Sequence, residues 1–296
     1  MEKVLIIYNP VAGSEKGEEI NFLLRKKLVE YFDCIKSMKT ENPNDAYLFA
    51  KNACDEGYHS IFVVGGDGTI NQVTKALMEA DPNKRPILGV LPGGTFNGVS
   101  RILGYPQNIR LAVRRLKVDK TIKMDVGKFN DNYFNMIFSI GDIPESIHNV
   151  SPESKSVFSG WAYAYNIARD AIKNNHYLME VDVDGENLVG DFSHLIVMLS
   201  SAIYGTPLIN DIEKNDGFLH LFIVKESTLF DKMSILPDVI SGKVKNNEYI
   251  KYYKCKNVSI ASMDTVIETD IDGEKSDPLP ASISIFEKAI EMYCLN

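Results

Sequence analysis

The chain of 296 residues carries 32 Lys and Arg against 40 Asp and Glu, which gives a formal net charge of −8. This acidic balance argues against a nucleic-acid-binding protein, because phosphate contacts need a basic surface. Hydrophobic residues make up 45% of the chain and charged residues 24%, as in an ordinary globular protein. The length predicts roughly two domains, at about 150 residues for each domain.

The apolar runs are too short to cross a membrane. Val4–Ile7, Ile61–Val64 and Leu195–Leu199 fall far below the roughly 20 residues that a spanning helix needs. The N-terminus enters a short strand at once and does not resemble a signal peptide. The four cysteines form no C-x-x-C pair, which argues against a zinc site or a disulfide framework. We therefore expect a cytoplasmic protein, and a local patch that touches a membrane surface stays open.

Strand and helix signals alternate through the first 120 residues. Apolar residues recur at helical spacing in three segments, and short apolar runs separate them. The predicted strands are Val4–Tyr8, Cys34–Met38, Ile61–Val64 and Ile87–Leu91. The first helix is expected to bury Ile20, Leu23, Leu24, Leu28 and Tyr31. This alternation predicts an α/β domain, a doubly wound and mostly parallel sheet with helices on both faces.

After residue 120 short strand-like runs dominate, and they predict a β-sandwich-like domain over residues 121–285. Asp184-Gly185 and Asp272-Gly273 are typical of the turns in β-hairpins. Helices are expected near Trp161–Lys173 and Leu229–Ile240. The predicted strands are Met124–Phe129, Tyr133–Ser139, Leu178–Asp184, Leu195–Ser200, Phe218–Val224, Val258–Ala261 and Thr265–Ile271.

A basic run lies near the predicted domain boundary. Six of the residues in the segment 110–123 are Lys or Arg. A solvated helix face is the simplest interpretation, and a patch that contacts ATP or an anionic lipid is the alternative.

Three unusual loops follow predicted parallel strands. They are Asn9–Ser14, Gly65–Thr69 and Pro92–Asn97. In open α/β sheets, ligands bind in the crevice beyond the carboxyl ends of the strands. The three loops are therefore expected to line one edge of one sheet.

The second loop has the chemistry of a phosphate site. Gly65, Gly66 and Gly68 let the backbone come close to a ligand, and the next helix begins there with free N–H groups and a favourable dipole. Thr69 is predicted to cap this helix, with Gln72 completing a capping box. A plain tight turn is the alternative, but three such loops at adjacent strand ends favour a phosphate crevice.

Other nucleotide and hydrolase motifs are absent from the sequence. There is no G-x-x-x-x-G-K-[ST], no strand-linked G-x-G-x-x-G, no H-E-x-x-H and no G-x-S-x-G. These absences argue against a P-loop enzyme, a dehydrogenase, a zinc protease and an α/β-hydrolase.

Taken together, the motifs resemble the diacylglycerol kinase catalytic-domain family, which includes bacterial soluble lipid kinases and is related to sphingosine and ceramide kinases. The resemblance extends in order over nearly the whole chain. Its segments are Asn9–Gly13, Gly65–Asn71, Leu91–Asn97, Asp125–Gly127, Gly160–Tyr163, Asn215–Leu219 and Ile271–Glu274. The first glycine loop is shared with NAD kinases, whereas the later segments favour lipid kinases.

The resemblance implies an ATP-dependent lipid kinase with diacylglycerol as the expected substrate, ATP and Mg²⁺ as cofactors, and peripheral contact with the inner membrane surface. It implies that about residues 286–296 return to the first domain; a homodimer is one option for the oligomeric state. Asp272 would be the general base, Asp67 would act through magnesium and water, and Asp216 would bind a structural magnesium ion. The nucleotide-binding residues would be Asn9, Gly65, Gly66, Gly68, Thr69, Gly94, Thr95, Asn97 and Glu274.

Three positions depart from the usual pattern of that family. Gly98 and His220 stand where Asp is usual, and Gln72 stands where Glu is common. These departures leave a catalytically impaired nucleotide- or lipid-binding relative as an alternative function. A NAD kinase is a further alternative, because the first glycine loop fits one.

Overall fold

The computed structural model describes residues 2–12, 16–140, 176–199, 202–203, 206–207, 215–225, 238, 243 and 247–295. The chain divides into two compact units, Met1–Val126 with Lys288–Asn296, and Gly127–Glu287. The predicted helices near Trp161–Lys173 and Leu229–Ile240 lie outside the described residues, apart from Asp238, as does the Gly160–Tyr163 segment.

The first unit alternates strands and helices, as predicted. Its strands are β1 (Lys3–Tyr8), β2 (Cys34–Lys39), β3 (Ser60–Gly65) and β4 (Ile87–Pro92). Its helices are α1 (Gly17–Leu28), α2 (Asp45–Asp55), α3 (Asp67–Glu79), α4 (Gly98–Ile102) and α5 (Ile109–Arg115), with a short 3₁₀ turn at Pro82–Lys84.

The strands form a parallel sheet in the order β2-β1-β3-β4. β3 is buried along its whole length, because a central parallel strand is covered on both faces. β2 lies at the edge and is only partly buried, and its polar residues Lys36 and Lys39 suit an exposed edge. The prediction of a doubly wound parallel sheet is therefore confirmed for this unit.

Helices pack against each other on the sheet, α1 with α5 and α2 with α3. Ile20, Leu24 and Leu28 of α1 are buried, as their helical spacing predicts. The helix ends at Leu28, however, and Tyr31 lies beyond it with 37% of its surface exposed. The prediction that Tyr31 belongs to the buried face was wrong, because the helical spacing continues past the end of the helix.

The basic run begins on α5. Arg110 donates to both carboxylate oxygens of Glu19 on α1, at 2.8 and 3.0 Å. This exposed ion pair supports the interpretation of a solvated helix face, since both side chains are about half exposed.

The last strand, β17 (Ala281–Tyr293), ends in the first unit. Met292 pairs with Leu88 of β4 in parallel register. The buried Tyr293 ring stacks on Phe62 with centroids 5.3 Å apart, and its hydroxyl lies 2.8 Å from Ser60 Oγ. The end of the chain thus completes the core of the first unit.

The second unit is built from β-strands. They comprise the end of β5 (Thr121–Phe129), β6 (Asn132–Phe134), β7 (Ile137–Ile140), β8 (Tyr177–Val183), β9 (Glu186–Met198), β10 (Ala202–Ile203), β11 (Thr206–Pro207), β12 (Leu219–Lys225), β13 (Ile250–Cys255), β14 (Asn257–Ser262), β15 (Thr269–Ile271), β16 (Glu274–Ser276) and the start of β17.

The long strand β9 organises this unit. Its first half pairs with β8, and its second half lies between β7 and β12. Alternate residues face opposite sides of a strand, so Val197 and Leu221 join the main core while Met198 and Phe222 join a smaller apolar cluster.

Several strand boundaries differ from the predictions. β9 starts at Glu186 rather than Leu195, and β15 starts at Thr269 rather than Thr265. The strands β13 and most of β17 were not predicted, because lysines and glutamates interrupt their apolar residues. Both predicted Asp-Gly turns are confirmed, and each connects two adjacent antiparallel strands.

We expect Gly89→Ala to destabilise the protein by about 1–3 kcal/mol, the usual cost of overpacking a core. A Cβ on Gly89 would lie 2.2 Å from the Phe62 ring, which cannot retreat because Tyr293 stacks on it. Urea unfolding followed by circular dichroism measures the change. Val29→Ala is the control, since Val29 is 62% exposed; equal stability of the two variants would contradict the packing argument.

Candidate active site

The three predicted loops lie at the carboxyl ends of β1, β3 and β4. The backbone N–H of Asn9 donates to Val64 O at 2.9 Å, and that of Gly93 donates to Gly65 O at 3.1 Å. A Cβ built on Gly93 would lie 3.1 Å from Ala12 Cβ. The second loop therefore adjoins both others, and the first and third loops also approach each other.

Glycine is required where the second and third loops meet. A Cβ on Gly94 would lie 2.5 Å from the Cα of Gly66, and a Cβ on Gly93 would lie 2.8 Å from the backbone nitrogen of Gly65. Real Cβ atoms do not approach backbone atoms this closely. The two loops thus pack backbone to backbone, and the space beside them is shaped by main chain.

Helix α3 begins within the predicted second loop, at Asp67. Gly66 is its N-cap, in an extended conformation, and no side chain caps it. Thr69 is the third residue of the helix, its N–H donates to Gly66 O at 3.0 Å, and its side chain covers Gly65. The predicted capping box of Thr69 and Gln72 was therefore wrong, because the N-cap is Gly66, three residues before Thr69.

Asn9 and Asn97 hold the shapes of the first and third loops. Asn9 Oδ1 accepts from the N–H of Val11 at 3.1 Å. Asn97 has a left-handed backbone (φ 53°), accepts from the N–H of Gly94 at 2.7 Å and donates to Gly94 O at 2.8 Å. Thr95, which lies between Gly94 and Asn97 in the sequence, is exposed. Both asparagines therefore position neighbouring backbone groups.

Asp67 joins the second loop to the third. Its buried carboxylate accepts from the N–H of Asn97 at 3.0 Å and of Gly98 at 3.1 Å. Desolvation by burial raises the pKa of Asp67 to about 6, although the backbone N–H groups of residues 97–99 act in the opposite direction. Gly68, next to it, is half-buried at the start of the helix.

In the second unit, Asp272 occupies the first position of a hairpin turn and has φ 53°. It is buried, and its carboxylate accepts from three backbone N–H groups, those of Asn135 at 2.7 Å, Met136 at 2.9 Å and Ile137 at 2.8 Å. These three donors fix the orientation of the carboxylate. Glu274, just after the turn, is exposed.

Asp216 lies in the turn before β12, with its side chain 12% exposed. Oδ1 accepts from the N–H of Phe218 at 3.1 Å and lies 3.3 Å from His220 Nε2, and Oδ2 lies 2.8 Å from Lys254 Nζ. Burial by itself would raise the pKa of Asp216, but Lys254, His220 and the Phe218 N–H hold it below its ordinary value.

This arrangement of Asp216 does not fit a magnesium ligand. Both carboxylate oxygens face N–H donors, one of them a lysine ammonium, whereas magnesium needs oxygen ligands in near-octahedral geometry. Throughout the part of the chain that the structure describes, no cluster of three or more His, Cys, Asp or Glu side chains could hold a metal ion.

Sequence reasoning missed several residues that shape these sites. Lys254 reaches the Asp216 turn from β13, a strand that was not predicted, and Lys256 reaches it from just beyond the end of that strand. Asp125 is buried and accepts from the N–H of Lys288 at 2.7 Å, where β17 has a left-handed residue. Asp125 belongs to the segment Asp125–Gly127, which resembles the kinase family. Its contact with Lys288 could not be predicted, because the two residues are 163 positions apart in the sequence.

The chain was compared with known protein families. Residues 3–129 match the diacylglycerol kinase catalytic domain, and residues 146–294 match the YegS C-terminal NAD kinase beta sandwich-like domain. The chain therefore belongs to the diacylglycerol kinase family of lipid kinases.

None of the helices within the described ranges combines the length and apolar composition needed to cross a bilayer.

Individual relatives agree with this assignment. A Streptococcus pneumoniae protein, provisionally named a lipid kinase, is 38% identical over 99% of this chain and 98% of its own length. The diacylglycerol kinase of Staphylococcus carnosus is 28% identical over 99% of this chain and 95% of its own length. A crystal structure of a diacylglycerol kinase from Bacillus anthracis has a TM-score of 0.76 at 26% identity, with 99% of this chain and 97% of that chain covered.

The raised pKa of Asp67 predicts a specific pH dependence of stability. A folded-state pKa of about 6, above the ordinary value of 3.8, means that the folded protein holds the proton more tightly than the unfolded chain. The stability of the wild type relative to Asp67→Asn should therefore fall by on the order of 3 kcal/mol as pH rises from about 4 to about 7.

Urea unfolding of both proteins at each pH measures this difference. The Asp67→Asn protein is the reference, because it shares every other titrating group and carries no charge at position 67. A stability difference that stays constant, or that grows as pH rises, would contradict a raised pKa at Asp67.

Proposed function

We propose that this lipid kinase transfers the γ-phosphate of ATP to the hydroxyl of diacylglycerol. The observation that carries the proposal is the close backbone packing of Gly66 and Gly94 at the start of α3, beyond the carboxyl ends of parallel strands. Two relatives over nearly the full chain are named diacylglycerol kinases, one from Staphylococcus carnosus and one from Bacillus anthracis.

The loops fit the phosphate groups of a nucleotide. The backbone at Gly66 and Gly94 carries no side chain, so phosphate oxygens can approach the main chain there. Helix α3 has 13 residues, and its first N–H groups and its dipole favour an anion at this end. On this proposal Gly68 contributes its backbone N–H group, while Asn9, Thr69, Thr95, Asn97 and Glu274 complete the nucleotide-binding residues.

Magnesium would reach this site with the phosphates of ATP, since Mg²⁺ commonly binds through substrate phosphates and one or two carboxylates. The bound ion would neutralise the charge that develops on the transferred phosphoryl group. Asp67 is the carboxylate of the second loop, and its two backbone hydrogen bonds leave further lone pairs for a water molecule. We therefore propose that Asp67 contacts hydrated magnesium rather than the lipid.

Asp272 is proposed as the general base that accepts the proton of the lipid hydroxyl. Phosphoryl transfer depends chiefly on positioning, and the three N–H donors of residues 135–137 hold this carboxylate in one orientation.

Because diacylglycerol resides in membranes, we propose that this cytoplasmic enzyme binds transiently to the inner membrane surface.

We expect Asp272→Asn to lower kcat at least 100-fold, which is the usual contribution of a general base, while the Kd for ATP stays within a few-fold of the wild-type value. Asp184→Asn is the matched control. Asp184 occupies the same position of an Asp-Gly hairpin and also accepts backbone N–H groups, from Lys256 and Asn257, but it is exposed. Equal kcat for the two variants would remove Asp272 from the proposed role.

The substrate is tested by incubating the pure protein with labelled ATP and mixed micelles that contain diacylglycerol, sphingosine or phosphatidylglycerol. We expect diacylglycerol to give the highest kcat/KM. NAD serves as an additional acceptor, because the C-terminal match names a NAD kinase fold. A preference for another acceptor would contradict the proposed substrate.

A catalytically impaired relative is the second candidate function, and Gly98 is the observation that favours it. Its N–H donates to Asp67, and it supplies no carboxylate of its own. ATP binding with no turnover on any of these acceptors would support this candidate. Turnover that appears only after Gly98→Asp would locate the impairment at that residue.

A further inference from the structure

The turn at residues 215–218 has a defined backbone. Asn215 and Gly217 are left-handed, with φ 59° and 75°, and the N–H of Phe218 closes the turn on Asp216. A Cβ on Gly217 would lie 2.7 Å from Glu287 Cδ. The turn therefore holds the Asp216 carboxylate on a fixed backbone, and the Glu287 side chain lies against Gly217.

Two lysines, Lys254 on the adjacent strand β13 and Lys256 just after its end, contact these groups. The antiparallel register of β12 and β13 places His220 opposite Lys254. Lys254 Nζ lies 2.8 Å from Asp216 Oδ2, and Lys256 Nζ donates to the carbonyl of Gly217 and to Glu287. The carboxylate and a carbonyl of the turn thus each bind an ammonium group.

The Phe218 ring fixes both ammonium groups. Lys254 Nζ and Lys256 Nζ each lie 4.2 Å from the ring centroid, within the range of cation–π attraction. The register and the ring therefore hold two positive charges at one turn, and we name Lys254, Lys256 and Phe218 the lysine clamp.

The buried His220 completes the surroundings of Asp216. One ring nitrogen lies 3.3 Å from Asp216 Oδ1, and the other lies 2.8 Å from the hydroxyl of Tyr252. Its ring also stacks on Tyr252, so it is held in place from both sides. An imidazole here offers Asp216 a nitrogen instead of a second carboxylate.

We propose that the lysine clamp takes the place of a bound divalent cation at the 215–218 turn, so that this turn keeps its form without magnesium. A divalent ion would have to displace Lys254 from Asp216 and would be repelled by both ammonium groups. The inference is independent of the proposed function, since it concerns the stability of the second unit.

The first test compares the effect of magnesium on the wild type and on Asp216→Asn. Thermal unfolding of nucleotide-free protein is measured in EDTA and in a series of MgCl₂ concentrations. We expect the same magnesium-induced change in Tm for both proteins, because any binding occurs elsewhere. A rise in the wild-type Tm that is absent from Asp216→Asn would overturn the proposal.

The second test removes the clamp. Lys254→Met with Lys256→Met should lower the Tm in EDTA by about 2–4 °C, the shift expected when partly exposed ion contacts are lost from a unit of this size. Lys251→Met is the matched control, because Lys251 lies on the same strand and pairs with Ile223, away from the turn. A double variant as stable as the control would overturn the proposal.

A third measurement uses the wild type alone and so does not depend on how any variant folds. The protein is labelled with ¹⁵N-phenylalanine and titrated with Mn²⁺, which broadens the amide signals near a bound ion. We expect the Phe218 signal to keep its width, and selective broadening of Phe218 would overturn the proposal.

Discussion

The buried carboxylate of Asp67 holds the candidate phosphate site in its shape. It accepts N–H groups from Asn97 and Gly98, at the end of the third loop, while its own backbone begins helix α3. The same two loops touch at Gly66 and Gly94, and a side chain at Gly94 would not fit. A buried carboxylate without partners would be costly, so the backbone of the third loop and the acid of the second stabilise each other.

The second unit also has carboxylates that accept backbone N–H groups. Asp272, Asp184 and Asp216 each accept backbone N–H groups at a turn. Asp184 and Asp272 even share one hairpin geometry, with φ of 50° and 53°. Burial separates them, since Asp272 is buried and Asp184 is exposed. The local Asp-Gly pattern therefore predicts the turn, and only the tertiary structure decides which carboxylate has a dry environment suited to catalysis.

Local patterns predicted β1, β3 and β4 well because these strands are buried on both faces and are continuously apolar. The meeting of the three loops also followed from the parallel sheet, whose strands end at one edge. The helix start at Gly66 was not predictable from a capping box, since no side chain caps it. Lys254 could not be assigned at all, because its contact with Asp216 depends on the register of β12 against β13.

The departures from the usual family pattern share one electrostatic consequence. Gly98 keeps a second carboxylate away from Asp67, whose raised pKa already reflects the cost of burying one charge. His220 likewise places no second carboxylate beside Asp216, and the ammonium group of Lys254 contacts Asp216 there. Two carboxylates at one site repel each other and require a cation, whereas one carboxylate can be satisfied by N–H donors. At both positions N–H donors therefore satisfy a single carboxylate, and the same hydrogen bonds shape the loops and the turn.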